Sequence, residues 1–165
     1  DCDTTAKHLR RLKDFGRSGG GNDIHDTIGF NFKFTELQAC IGIEQMKKLD
    51  NRVQRKKQIY TLYKNLLCNV DGIQLFENNN ETTAPWFIDC LASDRDNLIN
   101  HLKQCNIGTR VMYPPINKQK AYGMSEIHEV SEHVGTNGLW LPSAVQLTDD
   151  QIKYICQAIS SFYEA

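Results

Sequence analysis

Apolar positions change their spacing several times along the 165-residue chain, and each change marks an element. Leu9, Leu12 and Phe15 recur at helical intervals behind Asp3, a candidate N-cap, and Gly16 closes the run. Gly16 to Asp23 is too rich in glycine for helix or strand and predicts a flexible loop. Its triple glycine fits neither the Walker pattern nor GxGxxG, so it is a weak phosphate-binding signal. Thr35-Glu36-Leu37-Gln38 is a capping box, with a hydroxyl at the N-cap and Gln three residues on. Leu37, Ile41, Met46, Leu49, Val53, Ile59, Tyr63 and Leu66 then predict roughly 30 residues of helix, with a kink or junction at Asp50-Asn51.

The second half reads differently. Gly72–Phe76 and Trp86–Leu91 have the short apolar runs of strands. Ser93 is placed to cap a helix carrying Leu98, Ile99 and Leu102, with Asp96 in its first turn. Thr109–Tyr113 predicts a third strand, stopped by Pro114-Pro115. Glu126–His133 predicts a short helix ended by Gly135, and Leu139-Trp140-Leu141 a fourth strand. Thr148-Asp149-Asp150-Gln151 is a second capping box, opening a helix with Ile152, Ile155, Ile159 and Phe162 on one side. Strands mixed with helices after a helical lead predict an α+β (α/β) fold with a long helical connector and a small, mostly antiparallel sheet.

Composition narrows the class. Hydrophobic residues make up 40% and charged residues 24%, values of a globular protein. No apolar run approaches the ~20 residues of a membrane span. The N-terminus shows neither an initiator Met nor a basic-then-apolar leader, so the chain is expected to be a piece of a longer cytoplasmic protein. The six cysteines form no CxxC pair and are expected to be reduced thiols. His128 and His133 lack complementary ligands, and no metal site is expected. Charge is uneven: 13 Lys/Arg against 8 Asp/Glu in residues 1–70, a net of +5, and 6 against 12 in 71–165, a net of −6. That seam near Asp71-Gly72 predicts two parts, a helical 1–70 and an α/β 71–165. Lys47, Lys48, Arg52, Arg55, Lys56 and Lys57 have the charge of a nucleic-acid face. Without interleaved aromatics they read instead as a solvated or subunit-facing side of the helix.

Three stretches carry a family signal. Gly29-Phe30-Asn31-Phe32-Lys33-Phe34-Thr35-Glu36-Leu37-Gln38-Ala39-Cys40-Ile41-Gly42 is similar to the G-x-N-x-R-M-x-E-[LI]-Q-A-A-[IL]-G segment of the DegT/StrS aminotransferases. Gly108-Thr109-Arg110-Val111-Met112-Tyr113-Pro114-Pro115, with Gln119 and Tyr122, resembles the family's G-I-x-T-R…Y-P strand and loop. Gly138-Leu139-Trp140-Leu141-Pro142-Ser143, with Leu147-Thr148 and Gln151, resembles its ending. Asp3 to Arg17 also looks like the helix that follows the family's Schiff-base lysine.

The resemblance covers nearly the whole chain. It implies the C-terminal half of a fold-type-I enzyme that uses pyridoxal 5′-phosphate (PLP) to aminate keto sugars on nucleotide carriers, with glutamate as donor and a perosamine-type product. Residues 1–70 would then be the helical end of the large domain and its connector, and 71–165 the small C-terminal domain. The Schiff-base lysine would lie upstream in a missing N-terminal large domain, leaving no catalytic residue here. The family's homodimer implies Asn31 and Lys33 at the phosphate of the partner subunit's PLP, and Arg110, Tyr113 and His25 near the nucleotide sugar. Lys33 stands where the family more often has Arg and offers no bidentate fork. Phe15 stands where the family commonly has His. Read from the residues alone, Asn31 satisfies loop backbone, Arg110 makes a strand-end salt bridge, Tyr113 is a packed ring, and His25 is a solvated loop residue. An alternative of a different class is a non-catalytic dimerisation or interaction module from a split or truncated gene.

Overall fold

The computed structural model describes residues 2–17, 24–123 and 126–164. The run Gly19–Gly21 of the glycine loop lies outside them. The chain divides into two compact units, 1–48 and 49–165. The division falls at Lys48, not at the charge seam near Asp71, because the long helix buries one side in the core of the second unit.

In the first unit, α1 (Asp3–Lys13) and α2 (Glu36–Met46) flank an extended segment. Cys2, not Asp3, occupies the N-cap of α1, and Asp3 lies in the first turn, where its charge suits the helix dipole. The capping box predicted at Thr35 is present. Thr35 accepts from the Gln38 amide (3.3 Å), and the Gln38 side chain accepts from the Thr35 amide (2.9 Å). The segment runs antiparallel past the end of α1: Phe30 N–H donates to Leu12 (2.7 Å), Phe32 N–H to Lys13 (3.0 Å), and Phe15 N–H to Phe30 (3.0 Å). Neither helix buries a residue.

The second unit opens with α3 (Leu49–Leu67); the helix break is at Lys47-Lys48, just before the predicted Asp50-Asn51. A fully antiparallel sheet follows: β1 (Ile73–Leu75), β2 (Ile88–Ala92), β4 (Gly138–Leu141) and β3 (Arg110–Val111), in that spatial order. Ile88 pairs with Leu141 and Cys90 with Leu139, and these residues join the core. That core is completed by Ile59, Tyr63 and Leu67 of α3, Leu98 and Leu102 of α4 (Arg95–Gln104), and Ile152, Ile155 and Ile159 of α6 (Asp149–Tyr163). Burying each such side chain contributes about 1.5–3 kcal/mol before entropy is counted.

Two boundaries differ from the sequence pattern. Asp94, not Ser93, occupies the N-cap of α4, because the Ser93 backbone is engaged elsewhere: its N–H donates to the Gly72 carbonyl (2.7 Å) and its carbonyl accepts from the Tyr163 hydroxyl (2.7 Å). The helix expected at Glu126–His133 lies at Glu129–Asn137 (α5). Asn117, almost wholly buried, donates to the Glu126 carbonyl (2.9 Å) and to Glu132 (3.0 Å), holding Glu126 in the loop. Gly135 sits inside α5 because its missing side chain would meet the Pro115 ring at 2.6 Å.

No helix among the described residues is long and apolar enough to cross a membrane. The six cysteines stand as free thiols. Burial pushes Cys90 and Cys156 up to about 12. Thiol labelling at neutral pH is therefore expected to reach exposed Cys2, Cys40 and Cys68 quickly, and Cys90 and Cys156 only on unfolding. Rapid native-state labelling of Cys90 would contradict the packing.

Candidate functional site

The sequence-derived candidates fall in two clusters, one in each unit. In the first, Asp14 collects the charge at the end of α1. Its Oδ1 receives Lys33 Nζ (2.8 Å) and an Arg17 guanidinium nitrogen (2.8 Å). These contacts, that to Lys33 first, hold the Asp14 carboxyl below its usual range. Both cations also lie 5.3 Å from the centre of the Phe15 ring. Thus the ring that replaces the family's His is packed by cations. His25 is exposed, as expected of a loop His, and its Nδ1 donates to the Phe15 carbonyl (2.7 Å), which ties it to the loop backbone. Asn31 pairs with Asp14 through the backbone, while its exposed amide group makes no hydrogen bond among the described residues.

What holds this cluster is a close approach of two glycines. Gly16 has φ +80°, a left-handed conformation, and a side chain on Gly29 would lie 2.0 Å from the Gly16 nitrogen. The Gly of the G-x-N motif thus has a backbone reason that its spacing alone did not reveal.

In the second unit the structure brings Arg110 and Tyr113 together. The Arg110 guanidinium donates to the Tyr113 hydroxyl (3.1 Å) and lies 5.3 Å from its ring centre. Register adds residues that the sequence pattern left as plain strand. Arg110 and Asp89 are both cross-strand partners of Trp140. The Trp140 ring is 8% exposed, stacked on Phe87 at 4.4 Å and 17°, with Tyr113 edge-on at 5.1 Å and Arg110 at 5.4 Å. Its indole N–H donates to Asp89 Oδ1 (2.6 Å). Lys56, its charge disfavoured by burial, donates to the Trp86 carbonyl (2.7 Å) and Ser143 (3.2 Å), steadying the start of β2. Two other members of the basic stretch also bond within the chain: Arg55 to Asp149 (2.7 Å) and to the Leu147 carbonyl, and Lys57 to the Glu81 carbonyl (3.4 Å). Among the described residues no three metal-ligating side chains converge.

The family model for DegT/DnrJ/EryC1/StrS aminotransferases matches residues 1–160. The chain is 32% identical over 143 residues to GDP-perosamine synthase of Escherichia coli O157:H7, covering 84% of this chain and 39% of the relative. It is 27% identical over 162 residues to the GDP-perosamine synthase of Vibrio cholerae, covering 93% and 44%. The chain therefore spans about two-fifths of the length of these relatives. In fold it is similar to a DegT/DnrJ/EryC1/StrS aminotransferase from Brucella abortus, with a TM-score of 0.87 at 22% identity over 100% of this chain and 45% of that one.

Proposed function

The chain belongs to the DegT/DnrJ/EryC1/StrS aminotransferase family, and from this we propose that it is the C-terminal part of a cytoplasmic enzyme moving an amino group from glutamate to a keto-deoxy nucleotide sugar of the perosamine type. The reading rests on the family match over residues 1–160. Sugar aminotransferases among the relatives support the substrate class.

The family depends on PLP, which supplies an electron sink for amino-group transfer when bound. The lysine that carries it is assigned to the part of the enzyme outside residues 1–165. The residues present suit one end of the cofactor. Asn31 offers two N–H donors to a phosphate oxygen without adding charge. Lys33 offers a cation, already oriented by Asp14 at 2.8 Å. In a homodimer these two residues would serve the phosphate of the PLP in the partner subunit. Arg110, Tyr113 and His25 are assigned to the nucleotide-sugar side.

Borohydride reduction of the full-length protein with PLP is expected to fix the cofactor on a lysine outside residues 1–165. Asn31→Ala should weaken PLP binding about tenfold, ~1.4 kcal/mol, and leave pyridoxal, which lacks the phosphate, unaffected. Trapping on one specific lysine within 1–165 would overturn the assignment. A gene product confined to these 165 residues, with no other chain that restores PLP trapping when mixed with it, would favour a non-catalytic dimerisation or interaction module.

A further inference from the structure

Phe15 holds an unusual backbone. Its φ of +56° lies in the left-handed region, which a bulky side chain rarely enters. Two hydrogen bonds keep it there. The Phe15 N–H donates to the Phe30 carbonyl (3.0 Å), and the Phe15 carbonyl accepts from His25 Nδ1 (2.7 Å). Strain of this kind persists only where the surroundings over-determine it, and it points to a use for the side chain. The ring carries two cations, Arg17 and Lys33, each 5.3 Å from its centre. One carboxylate oxygen, Asp14 Oδ1, receives both of them at 2.8 Å. Ring and carboxylate therefore hold the same pair of cations.

A lysine ammonium is a point charge on a flexible stem, and fixing it on an anion costs rotamer freedom. Here the end of the stem is fixed beforehand. Asp14 takes one of the three N–H donors of Lys33, which leaves two for an anion. Because Asp14 is divided between two cations, it does not cancel the charge of Lys33. Asn31 is the bridge partner of Asp14, so the amide and the ammonium assigned to the phosphate share one anchor. From this we propose that Phe15 is a positioning residue: its ring, together with Asp14, clamps Lys33 Nζ in the pose that meets the cofactor phosphate. The two departures from the family's pattern, Phe for His at 15 and Lys for Arg at 33, then form one unit. An arginine brings its own planar fork, and this lysine takes its rigidity from the ring and the carboxylate. A His at 15 can take up a proton beside two cations, whereas a hydrocarbon ring attracts them at every pH. The proposal rests on the assignment of Lys33 to the PLP phosphate and adds the residue that sets its geometry.

The test is a cycle of substitutions in the full-length protein, read as the dissociation constants of PLP and of pyridoxal. Pyridoxal lacks the phosphate, so its unchanged binding in each variant reports an intact fold. Lys33→Met should weaken PLP at least about tenfold, as loss of a charged hydrogen-bond donor does. Phe15→Leu keeps apolar bulk without a ring and should weaken PLP about threefold, the size of an exposed cation–π contact. Phe15→Tyr keeps the ring and should bind PLP as the wild type does. In the Lys33→Met background, Phe15→Leu should have no further effect. A second readout needs no cofactor. Acetylation of Lys33 by acetic anhydride in PLP-free protein, followed by mass spectrometry, should be faster in Phe15→Leu and unchanged in Phe15→Tyr. A loss of PLP affinity in Phe15→Leu that persists in the Lys33→Met background would make the role of Phe15 structural and overturn the proposal. So would a Phe15→Leu protein that binds PLP as tightly as the wild type while Lys33→Met does not. If acetylation responds as expected but Lys33→Met leaves PLP affinity unmoved, the phosphate assignment of Lys33 fails and the clamp on its ammonium stands.

Discussion

An alanine at position 29 is expected to release residues 24–32 from the end of α1. The new methyl group would sit 2.0 Å from the Gly16 nitrogen and 2.4 Å from the Phe15 carbonyl carbon. Both are backbone atoms, so no side-chain rotation relieves the clash. Gly16 cannot retreat easily, since its own position is fixed within contact of the Thr27 carbonyl and by its N–H bond to Arg11 (2.8 Å). Overpacking of this kind costs about 1–3 kcal/mol when neighbours yield, and more when they are backbone. The helices of the first unit bury no residue, so little packing is available to offset that cost. The amides of Phe15, Phe30 and Phe32, which bond to Phe30, Leu12 and Lys13, should lose protection from hydrogen exchange by two orders of magnitude or more in Gly29→Ala. Amides of β2 and β4 should keep theirs. Gly108→Ala is the control, because nothing lies within 4 Å of its added methyl. Unchanged exchange at Phe30 and Phe32 in Gly29→Ala would mean that the two glycines are not in contact. With the segment released, Asn31 and Lys33 would lose the frame that holds them beside Asp14, so PLP affinity in the full-length enzyme should fall with the protection.

Much of this frame was legible in the residues, for identifiable reasons. Both capping boxes form as read, because Thr35-Gln38 and Thr148-Gln151 satisfy helix-end donors within four residues of chain. All four strands appear near their apolar runs, since Ile88, Cys90 and Ala92 alternate with half-buried partners and β4 is buried throughout. Ends set by distant contacts did not show. Asn117 reaches fifteen residues to Glu132 and so delays α5. Gly135 looked like a terminator but serves a close contact with Pro115. The site was half visible. Asn31, Lys33, Arg110 and Tyr113 stood out through motifs, whereas Asp14, Asp89 and Trp140 acquire their partners only through strand register and the Gly16–Gly29 approach. A sequence pattern carries period, and period does not fix which residues face one another across strands.

Tyr63→Ala is expected to be the most damaging single substitution in the second unit, at about 3–5 kcal/mol, by analogy with buried aromatic-to-alanine changes. Tyr63 has no exposed surface, and its hydroxyl donates to the Pro142 carbonyl (2.9 Å), just past the end of β4. Burial raises its phenol far above the ordinary value, so the group stays a neutral donor. One turn earlier, Tyr60 donates to the Phe76 carbonyl (2.9 Å) and accepts from the Asn78 amide (3.0 Å). The two tyrosines thus tie α3 to the segments beyond β1 and β4, on opposite sides of β2 in the sheet order. Tyr63→Phe separates packing from polarity. It keeps the ring and strands one carbonyl, for an expected loss of about 1–2 kcal/mol. Urea unfolding checks both: the midpoint should fall in the order wild type, Tyr63→Phe, Tyr63→Ala, with the m-value of Tyr63→Phe unchanged. Equal losses in the two variants would assign the effect to the hydrogen bond. A loss below about 1 kcal/mol for Tyr63→Ala would mean that α3 is not part of this core at all. The distinction bears on function, because Trp140 lies two residues before Pro142. A Tyr63→Phe chain that keeps its fold but shifts Trp140 emission would show that the α3 anchor sets the place of the ring behind Arg110.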